Sequence, residues 1–380
     1  MSPVSGKSPR RKLPVSKPRA FVTDGSYVNT LAAVRALGHA ETEITVGERA
    51  SIPRMRRVAC WSRYCGDCFS YPDPDPACNA TAVALKQLFL QRQYDIFIPV
   101  SLAMTELAVH HAHEFQVSAM LPSAGAFGIA ADKKRTFELA SHLGIPVPVT
   151  VDAAQYSRLD VPCVIKHRRA GALVALDADD LRAVLARVGN QLDQYLAQEY
   201  VPGRNGYGYF GFFSEGRELG FYMHERLMQW PIEGGPSVLA RSFYHHELRE
   251  YGRCVLAALN WTGVAMVEFK RSSRDGKFYL MEINPKYWGS LDLAIHAGCN
   301  FPVWTRDFLL HKDLKIPQSY CMDTTFHWVV PNGLRCLVRY PEYRRTFLRN
   351  VLSRKVKSEI SIADPLPTVI PVMAQLGLGS

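Results

Sequence analysis

The chain has 380 residues, 47% of them hydrophobic and 21% charged, which is ordinary for a globular protein and leaves room for two or three domains' worth of core. No apolar run approaches the roughly 18 residues of a membrane-spanning helix, so a cytoplasmic protein without a membrane partner is expected. The formal net charge of +10 would suit a polyanion such as nucleic acid, so the distribution of that charge matters.

The first twenty residues differ in composition from the rest. Six Lys and Arg residues precede the first acid, Asp24, and prolines at positions 3, 9, 14 and 18 would interrupt a regular helix among them. Neither an amphipathic transit helix nor a secretory apolar segment fits this pattern. We therefore predict a disordered basic arm over residues 1–20. Nucleic-acid binding through the arm would rest on charge alone, so we do not expect nucleic acid as a partner.

An α/β unit follows the arm. Residues 19–38 give a short apolar strand, a Gly-Ser turn and a helix, and YDIFIPV is a second buried strand before a helix that Ser101 should cap. The turn contains Gly25 alone, whereas a dinucleotide site needs several glycines there. We therefore assign no cofactor site to this part of the chain.

The nine cysteines are scattered, and an odd number without a signal peptide predicts free thiols rather than a disulfide framework. Cys60, Cys65, Cys68 and Cys78 form the densest group, in which a Cys-x-x-Cys pair would seat zinc if the other two thiolates folded back onto it. The flanking spacings differ from those of zinc knuckles, which favours reduced thiols, and both alternatives stay open at this point.

The middle of the chain is predicted to contain two α+β units. A helix should run from Asp132 to Leu143 and end at Gly144. A small α+β unit should follow, made of VPCVIKH, GALVALD and the next helical run. The chain then leaves this unit through the strand AQEYVPG. Long strands follow, with a hairpin around residues 214–217, a helix over 245–259 and the hairpin GVAMVEFKRSSRDGKFYLMEIN. The predicted fold class is α/β and α+β.

The last hairpin brings two acidic residues together. Its turn, RSSRDG, makes the strands antiparallel, so Glu268 should lie across from Glu282. Asn284 shares a face with Glu282 because strand side chains alternate. Two carboxylates and an amide oxygen are hard ligands that suit Mg²⁺. On the hairpin alone, a solvated face with salt bridges to Lys270 or Arg241 is an equal alternative.

Several motifs follow one another in an order that resembles the ATP-grasp superfamily over nearly the whole chain. ADKKRTFELASHLGIPVP resembles the helix that opens the ATP-grasp region, CVIK the lid strand and AQEYVPG the adenine hinge. GVAMVEFK and LMEINPKYWGSLDLAIHAG are similar to the paired metal-binding strands. GYGYFGFF, HERLMQWPIEGGPS and IADPLP resemble a carbamoyl-phosphate-synthetase-like subgroup of carboxylate–amine ligases. The resemblance implies an N-terminal Rossmann-like (pre-ATP-grasp) domain, a small lid subdomain and a larger α+β C-terminal domain.

The resemblance also implies roles for individual residues. Arg226 would stabilise the transferring phosphoryl group or hold a carboxylate, and Lys286 and Arg241 are further catalytic candidates. Lys166 ends the buried strand CVIK, where an ammonium is reasonable if an anion meets it; a lysine that reaches solvent is the alternative. The remaining implied sites are phosphate contacts at Lys133 and Lys166, an adenine hinge at Gln198, Glu199, Tyr200 and Val201, and Mg²⁺ ligands at Glu268, Glu282 and Asn284, with Mn²⁺ as an alternative ion.

The sequence departs from the family pattern in the lid and after the metal strand. KHRRAGAL offers Gly171 alone where many lids have a glycine-rich phosphate loop, and Arg168 and Arg169 would have to compensate. Lys286 stands where an arginine is usual, which keeps the charge but loses the bidentate fork. These departures put the efficiency of catalysis in doubt more than nucleotide binding.

The resemblance implies an ATP-dependent ligase that joins a small-molecule carboxylate, such as an amino acid, to an amine through an acyl phosphate. A nucleotide-binding regulatory protein with weak or no turnover is the alternative. Oligomeric state, including a homodimer, stays open. The predicted boundaries are residues 1–20 for the arm, 21–124 for the N-terminal domain, 125–198 for the linker and lid, 199–315 for the catalytic subdomain and 316–380 for a C-terminal extension.

Overall fold

The computed structural model of the protein describes residues 17–375 except positions 76, 204 and 233. The basic arm predicted over residues 1–20 lies mostly outside the described residues. Its predicted end is too late, because the first strand already begins at Arg19. No helix in the described part of the chain is long and apolar enough to cross a membrane.

The N-terminal unit is a parallel four-stranded sheet in the order β3-β2-β1-β4. Its strands and helices are β1 (Arg19–Val22), α1 (Val28–His39), β2 (Glu43–Arg49), β3 (Cys65–Tyr71), α2 (Ala80–Gln91), β4 (Ile96–Ile98) and α3 (Leu102–His111). The apolar residues of β1, β2 and β4 are buried because helices cover both faces of such a sheet. Ser101 caps α3 as predicted, since its Oγ accepts a hydrogen bond from the Met104 N–H at 3.1 Å.

A second four-stranded sheet, in the order β5-β8-β6-β7, follows in the chain. It belongs to a unit of α4 (Ala124–Ala130), α5 (Lys133–His142), β5 (Thr150–Asp152), β6 (Cys163–His167), β7 (Ala172–Ala175), α6 (Ala178–Val188) and β8 (Tyr195–Glu199). Asp132 caps α5 by accepting the Lys134 N–H, which confirms the predicted helix start. β8 is an inner strand of this sheet, since Ala197 pairs with both Val151 and Ile165, and the chain leaves the unit after it.

The largest sheet has seven strands in the order β13-β12-β9-β10-β11-β14-β15. Its part of the chain contains β9 (Gly206–Ser214), β10 (Arg217–Gln229), β11 (Ser237–Ser242), α7 (His246–Ala258), β12 (Gly263–Arg271), β13 (Phe278–Asn284), α8 (Leu291–His296), α9 (Phe301–Leu309), β14 (Thr325–His327), α10 (Leu334–Arg339), α11 (Arg344–Leu352), β15 (Val356–Ser358) and α12 (Leu366–Gln375). β14 and β15 extend this sheet beyond β11, so the segment after residue 316 is built into it.

The two faces of the seven-stranded sheet pack against different partners. Phe210, Tyr222 and Met266 share a core with the N-terminal unit, and we call their side of the sheet the inner face. Tyr209 and Val267 point the other way and pack against α7. This alternation follows from the period of two along each strand. The inner face therefore also carries the polar residues that lie further along the same strands.

The cysteine prediction is corrected at two positions. Cys60 and Cys68 form a disulfide, so free thiols are wrong for this pair, while the other seven cysteines are free. The disulfide consumes two of the four thiols that zinc would have needed. Across residues 17–375, apart from the three omitted positions, no group of three or more His, Cys, Asp or Glu side chains could hold a metal ion, so the zinc alternative has no support.

Candidate active site

Two carboxylates face each other on the inner face of the large sheet. Glu268 of β12 pairs in register with Glu282 of β13, as the hairpin predicted. Met281 is skipped in this register, so a β-bulge lies beside the acidic pair, where such irregularities often re-aim side chains. Asn284 is next to them and donates its Nδ2–H to Glu282 Oε1 at 2.8 Å. Like charges directly opposite each other repel, so each carboxylate needs a cation.

Each carboxylate has a cation of its own. Lys133 Nζ lies 3.1 Å from Glu282 Oε2. Arg226, from β10, forms a fork in which both terminal nitrogens donate to Glu268 oxygens at 3.2 Å. Burial would raise the pKa of Glu282, but the Lys133 ammonium, the Asn284 amide and Lys166 outweigh it and lower that pKa. The solvated face with Lys270 or Arg241 as salt-bridge partners is therefore not what the structure has.

Lys166 brings a third charge from the small sheet. Its side chain does not reach solvent, since the residue is only 7% exposed, and Nζ lies 6.0 Å from the centre of the Phe137 ring. Burial lowers the pKa of Lys166 to about 8, with Glu282 and Glu268 opposing the shift and Lys133 adding to it. Lys133 also donates to the Ala170 carbonyl at 2.7 Å. The two lysines thus converge on one acidic pair.

Lys286 follows Asn284 by two residues, and its Nζ lies 3.4 Å from the Tyr287 carbonyl oxygen. Burial lowers the pKa of Lys286, while the charges of Glu282 and Asp24 oppose that shift. Asp24 follows β1, is 2% exposed and has a φ of 62°, a left-handed conformation that Asp tolerates better than most residues. Sequence reasoning did not single out Asp24, whose carboxylate accepts hydrogen bonds from the Thr23 hydroxyl and the Ser101 N–H.

Arg241 does not belong to this cluster. It pairs in register with Glu225, and its Nε donates to Glu225 Oε2 at 2.8 Å. Glu225 precedes Arg226 on β10, so its side chain points to the opposite face of the sheet. The Arg241 side chain is also 55% exposed there. The prediction of Arg241 as a site residue is therefore corrected.

The predicted adenine hinge lies at the end of β8. Gln198 is fully buried, and its Nε2 donates to Thr150 Oγ1 at 2.9 Å. Thr150 uses its own hydroxyl proton on the Pro148 carbonyl, so Oγ1 must accept from Gln198 and the orientation of the amide is fixed. Gln198 Oε1 then has no donor in the described part of the chain. A buried carbonyl without a partner is costly unless a ligand supplies one.

The other hinge residues differ in exposure. Val201 is buried, whereas Glu199 Oε2 lies 3.5 Å from Arg274 on a partly exposed side chain. Tyr200 makes a cation–π contact with Lys270, whose Nζ is 4.7 Å from the centre of the tyrosine ring. Sequence reasoning did not assign Lys270 to the site. Lys270 is two residues from Glu268 on the same strand, so the alternation could have identified it.

Two further segments bear on the surroundings of the cluster. A Cβ atom at Gly206 would lie 3.5 Å from Arg226 Nη1 and 3.8 Å from Glu268 Oε1, which is ordinary van der Waals contact, so Gly206 borders the cluster. The loop between β6 and β7 is held by two ion pairs. Arg168 is bound to Asp132 and Arg169 to Glu106. Both arginines therefore hold the loop in place. The sequence had suggested that they would bind phosphate in place of a glycine-rich loop.

Comparison with known proteins identifies the architecture. Neither a protein-family model nor a curated protein matches the sequence. The structure resembles N5-carboxyaminoimidazole synthetase from Staphylococcus aureus, with 13% identity, 86% of each chain covered and a TM-score of 0.64. It resembles L-amino acid ligase from Bacillus licheniformis, with 14% identity, 77% of this chain and 74% of that chain covered and a TM-score of 0.62.

A third similar structure is the biotin carboxylase domain of the Hydrogenobacter thermophilus 2-oxoglutarate carboxylase, solved with MgADP and bicarbonate. The identity is 14%, the TM-score is 0.63, and the match covers 81% of this chain and 73% of that chain. At such identities the similarity establishes the fold. The chain has the ATP-grasp architecture, which confirms the predicted fold class.

Proposed function

We propose that this protein is an ATP-dependent ligase that joins a carboxylate to an amine. The observation that carries the proposal is the facing pair Glu268 and Glu282, surrounded by the cations Lys133, Lys166 and Arg226. Two of the compared proteins are named a ligase and a synthetase, and the third was solved with MgADP and bicarbonate. A site with more cations than carboxylates suits a polyanion such as a triphosphate.

The nucleotide would lie between the small and the large sheet. Lys166 pairs with Leu196 and Val164 with Gln198, so Lys166 and Gln198 share one face of the small sheet. Phosphates would meet Lys166 and Lys133 while the base meets Gln198. The unpartnered Oε1 of Gln198 accepts hydrogen bonds only, and the 6-amino group of adenine would donate one, whereas the 6-oxo group of guanine could not. Gln198 thus favours ATP over GTP.

The donor set around Glu282 fits Mg²⁺. Glu268, Glu282 and the Asn284 carbonyl are oxygen ligands on one face, and Asn284 uses its nitrogen on Glu282, which leaves its oxygen for the ion. Mn²⁺ takes similar ligands. When bound, the ion would neutralise charge on the triphosphate and so favour attack at the γ-phosphate. Arg226 would act on Glu268 by keeping its carboxylate oriented, since both of its terminal nitrogens are committed there.

The reaction would proceed in two displacements. A carboxylate oxygen of one substrate attacks the γ-phosphorus, the bond to the β,γ-bridging oxygen breaks, and ADP leaves. The amine then attacks the acyl carbon, loses a proton and expels phosphate to give an amide. Lys133 and Lys166 would hold the phosphates, and Lys286, two residues after Asn284, would hold the substrate carboxylate or the acyl phosphate. Positioning and charge neutralisation suffice, so no nucleophilic side chain is needed.

The test is a screen for ADP release with ATP, Mg²⁺ and pools of amino acids, other small carboxylates and amines. A ligase should release ADP over many turnovers only when both a carboxylate and an amine are present, because the amine is needed to discharge the acyl phosphate. Binding of Mg-ATP should also raise the melting temperature, because a ligand of the folded state stabilises it by mass action. Binding without ADP release from any pool would favour the nucleotide-binding regulatory alternative, and no thermal shift at millimolar Mg-ATP would contradict both.

A further inference from the structure

The outward sides of α10 and α11 form a surface that combines exposed apolar side chains with unpaired arginines. We call it the α10–α11 surface. Val338 on α10 is 78% exposed, and Leu348 and Leu352 on α11 are 57% and 81% exposed. Single exposed apolar residues are ordinary, but several on consecutive helices are typical of an interaction site.

The arrangement on α11 follows from helical spacing. Tyr343, Phe347 and Asn350 recur at the spacing of one helical face and are buried. The opposite face presents Leu348 and Leu352 four residues apart, and Arg345 and Arg349 flank them at the same spacing. The side of the helix that faces solvent is therefore both apolar and cationic.

The charge of this segment is one-sided. Residues 334–357 contain eight Lys and Arg residues against the single acid Glu342. All eight are exposed, and in the described part of the chain none of them lies within 4.0 Å of a carboxylate. Other arginines of the protein commonly pair with acids, as Arg226 and Arg249 do. Five of the eight lie on α10 and α11, so these two helices carry a positive charge that no carboxylate of the described residues pairs with; they are Arg335, Arg339, Arg344, Arg345 and Arg349.

The inward sides of α10 and α11 already pack against a core of their own. Cys336, Tyr343 and Phe347 form a small core with Val238 and Val329 beneath the surface. The Tyr343 hydroxyl and His327 Nε2 are 2.7 Å apart within this core. The apolar groups are therefore presented to solvent by the fold itself.

We propose that the α10–α11 surface binds the headgroup region of an anionic lipid bilayer. Leucine and valine side chains would enter the boundary between headgroups and acyl chains while arginines reach the lipid phosphates. The contact proposed here is peripheral, and among the described residues no helix is long and apolar enough to cross a membrane. The proposal departs from the sequence-based expectation of no membrane partner. The proposal does not depend on the ligase activity.

Other occupants fit less well. A second copy of the chain would bring two cationic surfaces together in an isologous contact, and like charges would oppose it. Nucleic acid would neutralise the arginines but would leave Leu348 and Leu352 without an apolar partner. A bilayer with acidic headgroups satisfies both features at once.

The test is co-sedimentation of the full-length protein with vesicles of phosphatidylcholine alone or of phosphatidylcholine mixed with phosphatidylglycerol. We expect binding to the mixed vesicles, at least tenfold weaker binding to neutral ones, and release at high salt. Arg345→Glu with Arg349→Glu should weaken binding at least about 30-fold, because each cation near an anionic surface contributes about a fivefold factor. Leu348→Gln with Leu352→Gln should weaken it about tenfold or more.

Matched controls decide between this surface and others. Arg187→Glu on α6 and Leu90→Gln on α2 change exposed residues of the same kinds elsewhere and should bind like the wild type. Deletion of residues 2–16 should also leave vesicle binding unchanged. Equal thermal melting of all variants establishes that they are folded. The proposal is overturned if the protein does not bind anionic vesicles, if the variants of the α10–α11 surface bind like the wild type, or if only the deletion abolishes binding.

Discussion

Replacement of Glu282 by Gln tests the metal assignment most directly. Glutamine has nearly the same size and still accepts a hydrogen bond from Asn284, but it removes one of the two negative charges on the inner face. The change therefore alters the charge of the cluster without altering its shape.

The structure sets different magnitudes for stability and for turnover. Breaking a fully buried ion pair costs about 3–5 kcal/mol, but the Glu282 side chain is 29% exposed, and the retained hydrogen bond reduces the loss to about 1–2 kcal/mol. Loss of one preorganised electrostatic contact at a reacting phosphate costs about 3–4 kcal/mol in the barrier, or roughly 10²–10³-fold in rate. Turnover should therefore fall far more than stability.

The assay measures ADP release against Mg²⁺ concentration, with chemical unfolding measured in parallel. Glu218→Gln is the matched control, because Glu218 is a similarly buried carboxylate of the same sheet whose partner, Arg249, lies on the opposite face at 2.7 Å. We expect wild-type turnover from the control and a higher Mg²⁺ requirement from Glu282→Gln. A folded Glu282→Gln variant with unchanged rate and unchanged Mg²⁺ dependence would refute the assignment.

Three further substitutions test other parts of the molecule. Lys166→Ala should weaken Mg-ATP binding about tenfold or more with the chain still folded, because it removes a phosphate contact. Calorimetric titration measures the affinity, and a wild-type affinity would contradict the phosphate role. Gln198→Met should reduce ATP affinity about tenfold and leave GTP affinity nearly unchanged, and an equal loss for both nucleotides would count against base selection by Oε1. Asp292→Asn should make the free energy of unfolding less dependent on pH, as measured by urea unfolding at several pH values.

Local patterns were sufficient to predict the acidic pair. A short turn fixes the register of the hairpin from β12 to β13, and alternation then fixes which face each residue occupies, so Glu268, Glu282 and Asn284 could be found from sequence. The capped helices α3 and α5 were predictable for the same reason, because their caps lie within a few residues of them.

Contacts between distant segments were not predictable. The register of β10 with β11 follows a longer connection, which is why Arg241 was assigned to the wrong side of the sheet. The same holds for Asp364, whose Oδ2 accepts a hydrogen bond from Arg35 Nε at 2.9 Å across 329 residues of sequence. The pairing of Cys60 with Cys68 needed the path of the chain before β3, which composition does not specify.

The sign of the Asp292 prediction follows from burial. Asp292 is 8% exposed, and burial raises the pKa of its carboxyl to about 7, with Arg35 opposing the shift and Glu359 adding to it. Between about pH 4 and pH 7 the folded protein holds a proton there that the unfolded chain has lost, so the stability from this group is complete below about pH 4 and declines until about pH 7. The rise of about three in the pKa of Asp292 corresponds to at most about 4 kcal/mol of unfolding free energy.

Asparagine is neutral at every pH, so Asp292→Asn should lose this dependence of the unfolding free energy on pH. Asp160→Asn, at an exposed position, should keep it. Parallel pH profiles for the wild type and Asp292→Asn would show that Asp292 does not hold the proton.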